Sequence, residues 1–212
     1  MRAAPRARAM AQLRGDFSAK RDAIRSRLRE FAEVPRAEYY YELVYCLLTP
    51  QSSAVNAAKA VVDLRQTAPH ASEEELAAVL FCKDHYIRFH NTKAKRLRKA
   101  ACALPEILAA LDSGRPSGEL RTWLVANVDG LGWKEASHFL RNIGHRNLAI
   151  LDRHILKNLR RYGVIRALPK SLTPARYLKI ERQFLQFARA TGLSIDELDL
   201  LFWSRETGEI LK

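Results

Sequence analysis

Apolar residues recur at helical spacing along nearly the whole chain. Near the start they are separated by steps of four, seven, four and three, which places them on one face of a long amphipathic helix. These positions are Leu13, Phe17, Ile24, Leu28 and Phe31. No segment shows the sustained alternation of a strand, and only residues 147–151 are candidates for an extended stretch. The pattern predicts an all-α fold with about ten helices.

Several helix starts are marked by residues that suit an N-terminus. Ser72 and Ser194 are each followed three residues later by Glu, the pattern of a capping box. Thr49-Pro50 and Thr173-Pro174 each have the form of an N-cap followed by Pro in the first helical turn. We therefore predict that the first Thr-Pro pair opens a helix running to Leu64 and that the second opens one ending near Gly192.

Charge narrows the class of partner. The 212 residues contain 36 Lys and Arg against 23 Asp and Glu, a net charge of +13, which favours a polyanion such as nucleic acid. Residues 88–99 alone hold six basic residues and no acidic one. The charge does not distinguish a histone-like binder from a nuclease or a repair enzyme.

Hydropathy and cysteine content indicate the compartment. The chain is 48% hydrophobic, enough for a core, but it has no apolar run of 18 residues and no signal peptide at its start. Its three cysteines are an odd number that suits a reducing environment. We expect a cytoplasmic, nucleoid-associated protein with no membrane partner.

Residues 128–136 have the sequence Val-Asp-Gly-Leu-Gly-Trp-Lys-Glu-Ala, which predicts two helices joined by a tight turn. Gly130 and Gly132 allow the turn, and the amides that open the second helix suit a DNA phosphate. The pattern is that of a helix-hairpin-helix, although an ordinary helix-helix turn is the alternative for the motif taken alone. The segment lacks the third glycine and the preceding strand of a dinucleotide-binding fingerprint.

Two residues, one at this turn and one later in the chain, have side chains that can act on the C1′ carbon of a nucleotide sugar. Lys134 lies in the first turn of the second helix, and a neutral lysine amine there can attack C1′ and form a Schiff base. Asp152 follows 18 residues later at a predicted N-cap, where a carboxylate can stabilise an oxocarbenium-like sugar. The alternatives are a lysine that contacts phosphate and an aspartate that only caps a helix.

The combination of this hairpin, its lysine and the later Leu-Asp-Arg-His sequence resembles the helix-hairpin-helix DNA glycosylase superfamily in its bifunctional form. Residues 47–52 are similar to an early helix-loop-helix segment of that superfamily. Residues 88–96 and the ending 203–212 look most like the archaeal-type 8-oxoguanine DNA glycosylase/lyase, the second Ogg family. The similarity extends over most of the chain from about residue 40.

The resemblance implies an architecture as well as an activity. It implies two helical domains with the helix-hairpin-helix at the cleft between them. We expect one domain to be discontinuous, residues 1–40 with 153–212, and the other to span residues 41–152.

The resemblance also implies residue roles. Lys134 is the expected nucleophile, and Asp152 assists loss of the base. Phe89 and Trp203 are expected to sandwich the flipped base, and Lys212 is expected to read or brace it. Gln51 is expected to fill the gap in the duplex. Gly130 and Gly132 are expected to bind phosphate, and His154 is expected to support the Asp152 loop or the DNA backbone. No metal or other cofactor is expected, because Cys46, Cys82 and Cys102 lack the spacing of an iron-sulfur loop and the histidines lack zinc spacing.

The function predicted from these residues is excision of 8-oxoguanine from duplex DNA by a monomer, through a lysine Schiff base and β-elimination. Two alternatives stay open. One is a glycosylase/lyase for oxidised pyrimidines, and the other is a helix-hairpin-helix module that binds DNA without catalysis.

Overall fold

The computed structural model describes residues 3–210, and within that range it contains α-helices, two short 3-10 helices and no strand. This confirms the predicted all-α class. The helices are α1 (Ala3–Ala32), α2 (Tyr39–Leu48), α3 (Ala54–Leu64), α4 (Glu73–Leu80), α5 (His90–Cys102), α6 (Leu104–Leu111), α7 (Ser117–Asn127), α8 (Trp133–Asn142), α9 (Arg153–Arg161), α10 (Pro174–Thr191) and α11 (Ile195–Thr207). In the described part of the chain, no helix has the length and apolar character needed to cross a membrane.

The chain divides into two compact units. One unit, here called the terminal unit, comprises residues 1–33 and 140–212, and the other, the central unit, comprises residues 34–139. The boundary at residues 139 and 140 falls within α8. The domain limits expected from the sequence, with their intervening cleft, stay a prediction.

The central unit is built around α2. Nearly every side chain of α2 is buried, and α3 and α5 pack against it, while α4 packs on α5. The start of α4 confirms the first capping box, because the Ser72 hydroxyl accepts from the Glu75 amide and the Glu75 carboxylate accepts from the Ser72 amide.

The helix predicted to open at Thr49-Pro50 begins later. Thr49 instead follows the end of α2, and Ser53 is the N-cap of α3, where its hydroxyl accepts from the Asn56 amide at 2.9 Å. The Ser52 amide donates to the Thr49 carbonyl, with Pro50 second and a positive φ of 56° at Gln51 third, as in a type II turn. Pro suits the second position of such a turn as well as it suits a helix start.

The terminal unit is formed by α1, α9, α10 and α11. Tyr162 stacks on Phe202 at a centroid distance of 5.6 Å, and Phe184 stacks on the same ring at 6.2 Å. A buried ion pair joins Arg141 to Asp199 at 3.4 Å. Aromatic packing therefore holds α10 and the end of α9 against α11, and the ion pair joins Arg141, in the last turn of α8, to α11.

Residues 147–151 are not part of a strand, since side chains of α10 take the hydrogen bonds that a neighbouring strand would take. The Tyr177 hydroxyl donates to the Ala149 carbonyl at 2.5 Å and accepts from the Leu151 amide at 3.2 Å. The Glu181 carboxylate accepts from the Ala149 amide at 2.8 Å. These bonds fix the segment that leads into Asp152.

The predicted limits of α10 and the predicted start of α11 are confirmed. Thr173 caps α10, and Gly192, with a positive φ of 76°, directly follows its last residue. Ser194 and Glu197 form the second capping box, at the start of α11.

Candidate active site

The Gly-x-Gly turn joins α7 to α8 as the sequence predicts. Gly130 has a φ of 94°, in the region that L side chains rarely adopt. A Cβ atom at Gly130 would lie 2.5 Å from Cδ of Arg96 and 3.2 Å from Cδ2 of Leu47. The turn therefore requires glycine for its backbone conformation, and side chains of α2 and α5 pack closely against it.

An ion-pair cluster ties this turn to α5. Asp129 accepts a hydrogen bond from Lys99 Nζ at 2.7 Å, and its other carboxylate oxygen lies 3.6 Å from Arg96 Nε. The Lys99 hydrogen bond, with the charges of Lys99 and Arg96, lowers the pKa of Asp129. Two basic residues of the segment 88–99 therefore hold the hairpin.

Lys134 lies in the first turn of α8, with its side chain 26% exposed. Its Nζ is 3.6 Å from Oε1 of Glu135. The other oxygen of the Glu135 carboxylate lies 2.8 Å from the position that a Cβ atom would take on Gly132. Glu135 thus folds back over the start of the helix and places a proton acceptor beside the lysine amine.

A buried arginine supports the same helix from behind. The Arg121 guanidinium lies 4.9 Å from the centre of the Trp133 ring and donates to the Ser137 hydroxyl at 3.2 Å. The Ser137 hydroxyl in turn donates to the Trp133 carbonyl at 2.9 Å. Cation–π and hydrogen-bond contacts from α7 therefore fix the residue that precedes Lys134.

Gln51 and Phe89 lie on two segments of the central unit that are hydrogen-bonded to each other. The Arg88 amide donates to the Ser52 hydroxyl at 3.1 Å. Phe89 precedes α5 with a positive φ of 61°, its side chain is 49% exposed, and the Arg88 guanidinium lies 4.9 Å from its ring centre. An exposed aromatic ring on a backbone fixed in this way suits stacking on a nucleobase.

Lys93, in the basic segment 88–99, is buried rather than exposed to a ligand. Only 2% of the residue is accessible, and its Nζ donates to the carbonyls of Leu48 at 2.6 Å and Pro50 at 2.7 Å and to the Ser52 hydroxyl at 3.1 Å. Burial, together with the charge of Arg96, lowers the pKa of Lys93 to about 8. Lys93 therefore binds no phosphate in this conformation.

In the terminal unit, Asp152 caps α9. Its Oδ1 accepts from the amides of His154 and Ile155, both at 2.8 Å. The His154 ring meets the Trp203 ring edge-on at a centroid distance of 5.1 Å, and its Nδ1 is 3.4 Å from Oε2 of Glu206. Asp152, His154 and Trp203 are thus connected through the start of α9.

The structure brings the expected residues into three groups. Gln51 is linked to Phe89, the hairpin carries Lys134, and Asp152 is linked to Trp203 through His154. Lys212 lies outside the described residues. Among the described residues, the His, Cys, Asp and Glu side chains form no group of three able to hold a metal ion.

Sequence reasoning did not single out Lys93 or Asp129. Lys93 did carry a signal, because it is spaced four and seven residues from Leu97 and Ala100 on the buried face of α5. Asp129 lies within the hairpin motif, but its partners on α5 are about 30 residues away in sequence. A lysine on an apolar helix face is a pattern that a sequence displays, whereas the proximity of Asp129 to α5 is visible only in the fold.

Comparison with known proteins gives matches over nearly the whole chain. A family model described as 8-oxoguanine DNA glycosylase matches residues 24–193. The 8-oxoguanine DNA glycosylase/AP lyase of Korarchaeum cryptofilum is 45% identical over 193 residues, which are 91% of each chain.

Solved structures match over a similar extent. The 8-oxoguanine DNA glycosylase of Thermotoga maritima superimposes with a TM-score of 0.87 at 31% identity, covering 98% of this chain and 100% of that one. The Methanocaldococcus jannaschii 8-oxoguanine glycosylase/lyase, in complex with a 15mer DNA containing 8-oxoguanine, gives a TM-score of 0.86 at 31% identity. The second match covers 95% of this chain and 100% of that one.

The burial of Lys93 predicts how stability changes above pH 8. The pKa of Lys93 is about 8 in the folded protein and near 10.5 for an ordinary lysine, so between these values the unfolded chain holds a proton that the folded chain does not. The contribution of this group to the free energy of unfolding is therefore smallest below pH 8 and rises with pH through the window. We expect the difference in free energy of unfolding between wild type and Lys93→Met, measured by urea denaturation, to increase from pH 8 to about pH 10.

The exposed Lys59 of α3 provides the matched control. The Lys93 difference should rise more steeply with pH than the difference between wild type and Lys59→Met. A Lys93 difference that decreases with pH would mean that the three hydrogen bonds of the ammonium outweigh the effect of burial.

Proposed function

The chain belongs to the 8-oxoguanine DNA glycosylase family, and on that basis we propose that it excises 8-oxoguanine from duplex DNA and then cleaves the backbone at the resulting abasic site. The observation that carries the proposal is Lys134, which lies at the start of α8 directly after the Gly130 turn, with a proton acceptor beside its amine. A hairpin that only binds DNA needs the turn and a basic surface, but it does not need a lysine amine with a proton acceptor beside it.

Lys134 is the nucleophile of this reaction. Its neutral amine forms a bond to C1′ of the damaged nucleotide while the C1′–N9 bond breaks, and the departing purine takes the bonding electrons and is then protonated. The Glu135 carboxylate, 3.6 Å from Nζ, is positioned to take up a proton that the amine releases.

The same covalent bond leads to strand cleavage. Opening of the sugar ring converts the C1′ adduct into an imine, which acidifies the C2′ hydrogen. Loss of that proton and departure of the 3′ phosphate form a C2′–C3′ double bond and break the strand. Hydrolysis of the imine then returns the free lysine, so the reaction needs no oxidant and no bound metal.

Asp152 supplies negative charge during base loss. Positive charge develops on the sugar as the C1′–N9 bond lengthens, and a fixed carboxylate stabilises it more than a mobile one. The two amides at the start of α9 hold the Asp152 carboxylate in one orientation.

Base recognition is shared among the other residues. A base must leave the stack before C1′ is accessible, and Phe89 and Trp203 offer aromatic faces to the extruded purine, while Gln51 fills the space that it leaves. Stacking does not distinguish 8-oxoguanine from guanine, so a polar reader is needed. Lys212 is the reader that the family resemblance implies.

The partner is DNA, and we propose that the enzyme acts on it as a monomer associated with the nucleoid. Its net charge of +13 favours this polyanion. Part of that charge is committed to internal contacts, since Lys99 and Arg96 pair with Asp129.

Lys134→Gln is the direct test of the proposed chemistry. We expect this variant to lose strand cleavage of an 8-oxoguanine duplex, because glutamine cannot form the imine, and to keep its affinity within about threefold, because the backbone of the hairpin supplies the grip. Gel assays of cleavage and of binding on the same duplex measure both.

Lys59→Gln removes one exposed lysine from the central unit and should cleave at the wild-type rate. Cleavage by Lys134→Gln at the wild-type rate would refute the assignment of the nucleophile. Wild-type cleavage of a duplex with an oxidised pyrimidine, with none at 8-oxoguanine, would instead assign a different lesion to the same lysine.

Asp152→Asn separates the charge of this residue from its cap. Asn caps a helix about as well as Asp, so the melting temperature should stay close to that of the wild type, while single-turnover excision falls by on the order of 10²-fold because the charge is lost. Asp152→Ala should lose excision and also about 1 kcal/mol of stability. Normal excision by Asp152→Asn would show that Asp152 is only a cap.

A further inference from the structure

Two residues of the central unit with exposed side chains have a positive φ, a backbone conformation that is unfavourable for residues other than glycine. Gln51 has a φ of 56° and Phe89 has a φ of 61°, and neither residue is glycine. Such a conformation is unfavourable for a residue with a Cβ atom and persists only where surrounding contacts hold it. The side chains that hold these two residues therefore matter for the function proposed above.

The buried ammonium of Lys93 holds the Gln51 turn. Its acceptors lie on both sides of Gln51, since Pro50 precedes this residue and Ser52 follows it, and the Leu48 carbonyl near the end of α2 completes the set. Three donors of one ammonium thus match three uncharged acceptors. A methionine or leucine would fill the same space without fixing the turn.

The same ammonium is connected to Phe89. The Ser52 hydroxyl that accepts from Lys93 also accepts at 3.1 Å from the backbone amide of Arg88, the residue before Phe89. A second bond joins the two segments, from the Asn56 side-chain amide to the Tyr86 carbonyl at 3.2 Å. Lys93 itself lies in the first turn of α5, with its amide donating to the Phe89 carbonyl at 2.9 Å.

We propose that Lys93 is a positioning residue that sets Gln51 and Phe89 relative to each other, so that the side chain filling the duplex and the ring stacking on the flipped base engage one nucleotide together. Lys93 is buried and acts through these two residues rather than by touching DNA. The inference rests on the proposed function, which gives Gln51 and Phe89 their roles.

The two reactions of the enzyme distinguish this role from a general structural one. Excision of 8-oxoguanine requires a flipped base to be held, whereas cleavage at a preformed abasic site has no base to hold. We expect Lys93→Met to lower single-turnover excision by about tenfold or more, because a small misplacement of positioning groups is costly, and to change abasic-site cleavage by less than about twofold. Lys59→Met, which removes an exposed lysine from the same unit, should leave both rates at the wild-type value.

Base extrusion can be followed directly in the Lys134→Gln background, in which we expect no turnover. A duplex with 2-aminopurine next to 8-oxoguanine should gain fluorescence when the enzyme binds and unstacks the lesion. Adding Lys93→Met should reduce this gain at saturating protein concentration.

Ser52→Ala provides a second variant should Lys93→Met fail to fold in a thermal melt. It removes only the hydroxyl that connects Lys93 to the Arg88 amide, so excision should again fall more than abasic-site cleavage. Wild-type excision by a folded Lys93→Met protein, or by Ser52→Ala where the first does not fold, would overturn the inference. Equal losses on both substrates would also overturn it, whereas a wild-type enzyme inactive on 8-oxoguanine would refute the proposed function itself.

Discussion

The tight turn at Gly130 is the constraint on which the position of Lys134 depends. Its positive φ requires glycine, and the Arg96 side chain packs 2.5 Å from the position that a Cβ atom would take. The same arginine lies beside Asp129, so a larger residue in the turn would disturb the pair that ties the turn to α5. From this turn α8 starts in a fixed direction, with Trp133 held by Arg121 and Lys134 next to Glu135.

Several basic residues of α5 make contacts within the protein instead of facing only solvent. Lys93 is buried, and Arg96 and Lys99 are engaged with Asp129, although Lys99 stays largely exposed. Net charge therefore overstates the number of cations that are free to neutralise phosphate. Through these contacts α5 links three parts of the candidate site: the Gln51 turn, Phe89 and the hairpin.

Local signals in the sequence predicted much of this structure. The capping boxes at Ser72 and Ser194, the cap at Asp152 and the hairpin glycines depend on residues within a few positions of one another, and all are found. Thr49-Pro50 was misinterpreted because Pro suits a turn and a helix start equally. The hydrogen-bond acceptors of Lys93 could not be derived from local pattern, since they lie more than 40 residues earlier and are mostly backbone carbonyls, which every residue has.

The central claim is that a covalent bond forms between the Lys134 amine and C1′ of the damaged nucleotide. Borohydride reduction during reaction with an 8-oxoguanine duplex traps this bond, and digestion of the adduct followed by mass spectrometry identifies the modified residue. We expect the added mass on the peptide that contains Lys134. A modification at another lysine or at the N-terminal amine, or the absence of any adduct during active cleavage, would contradict the account.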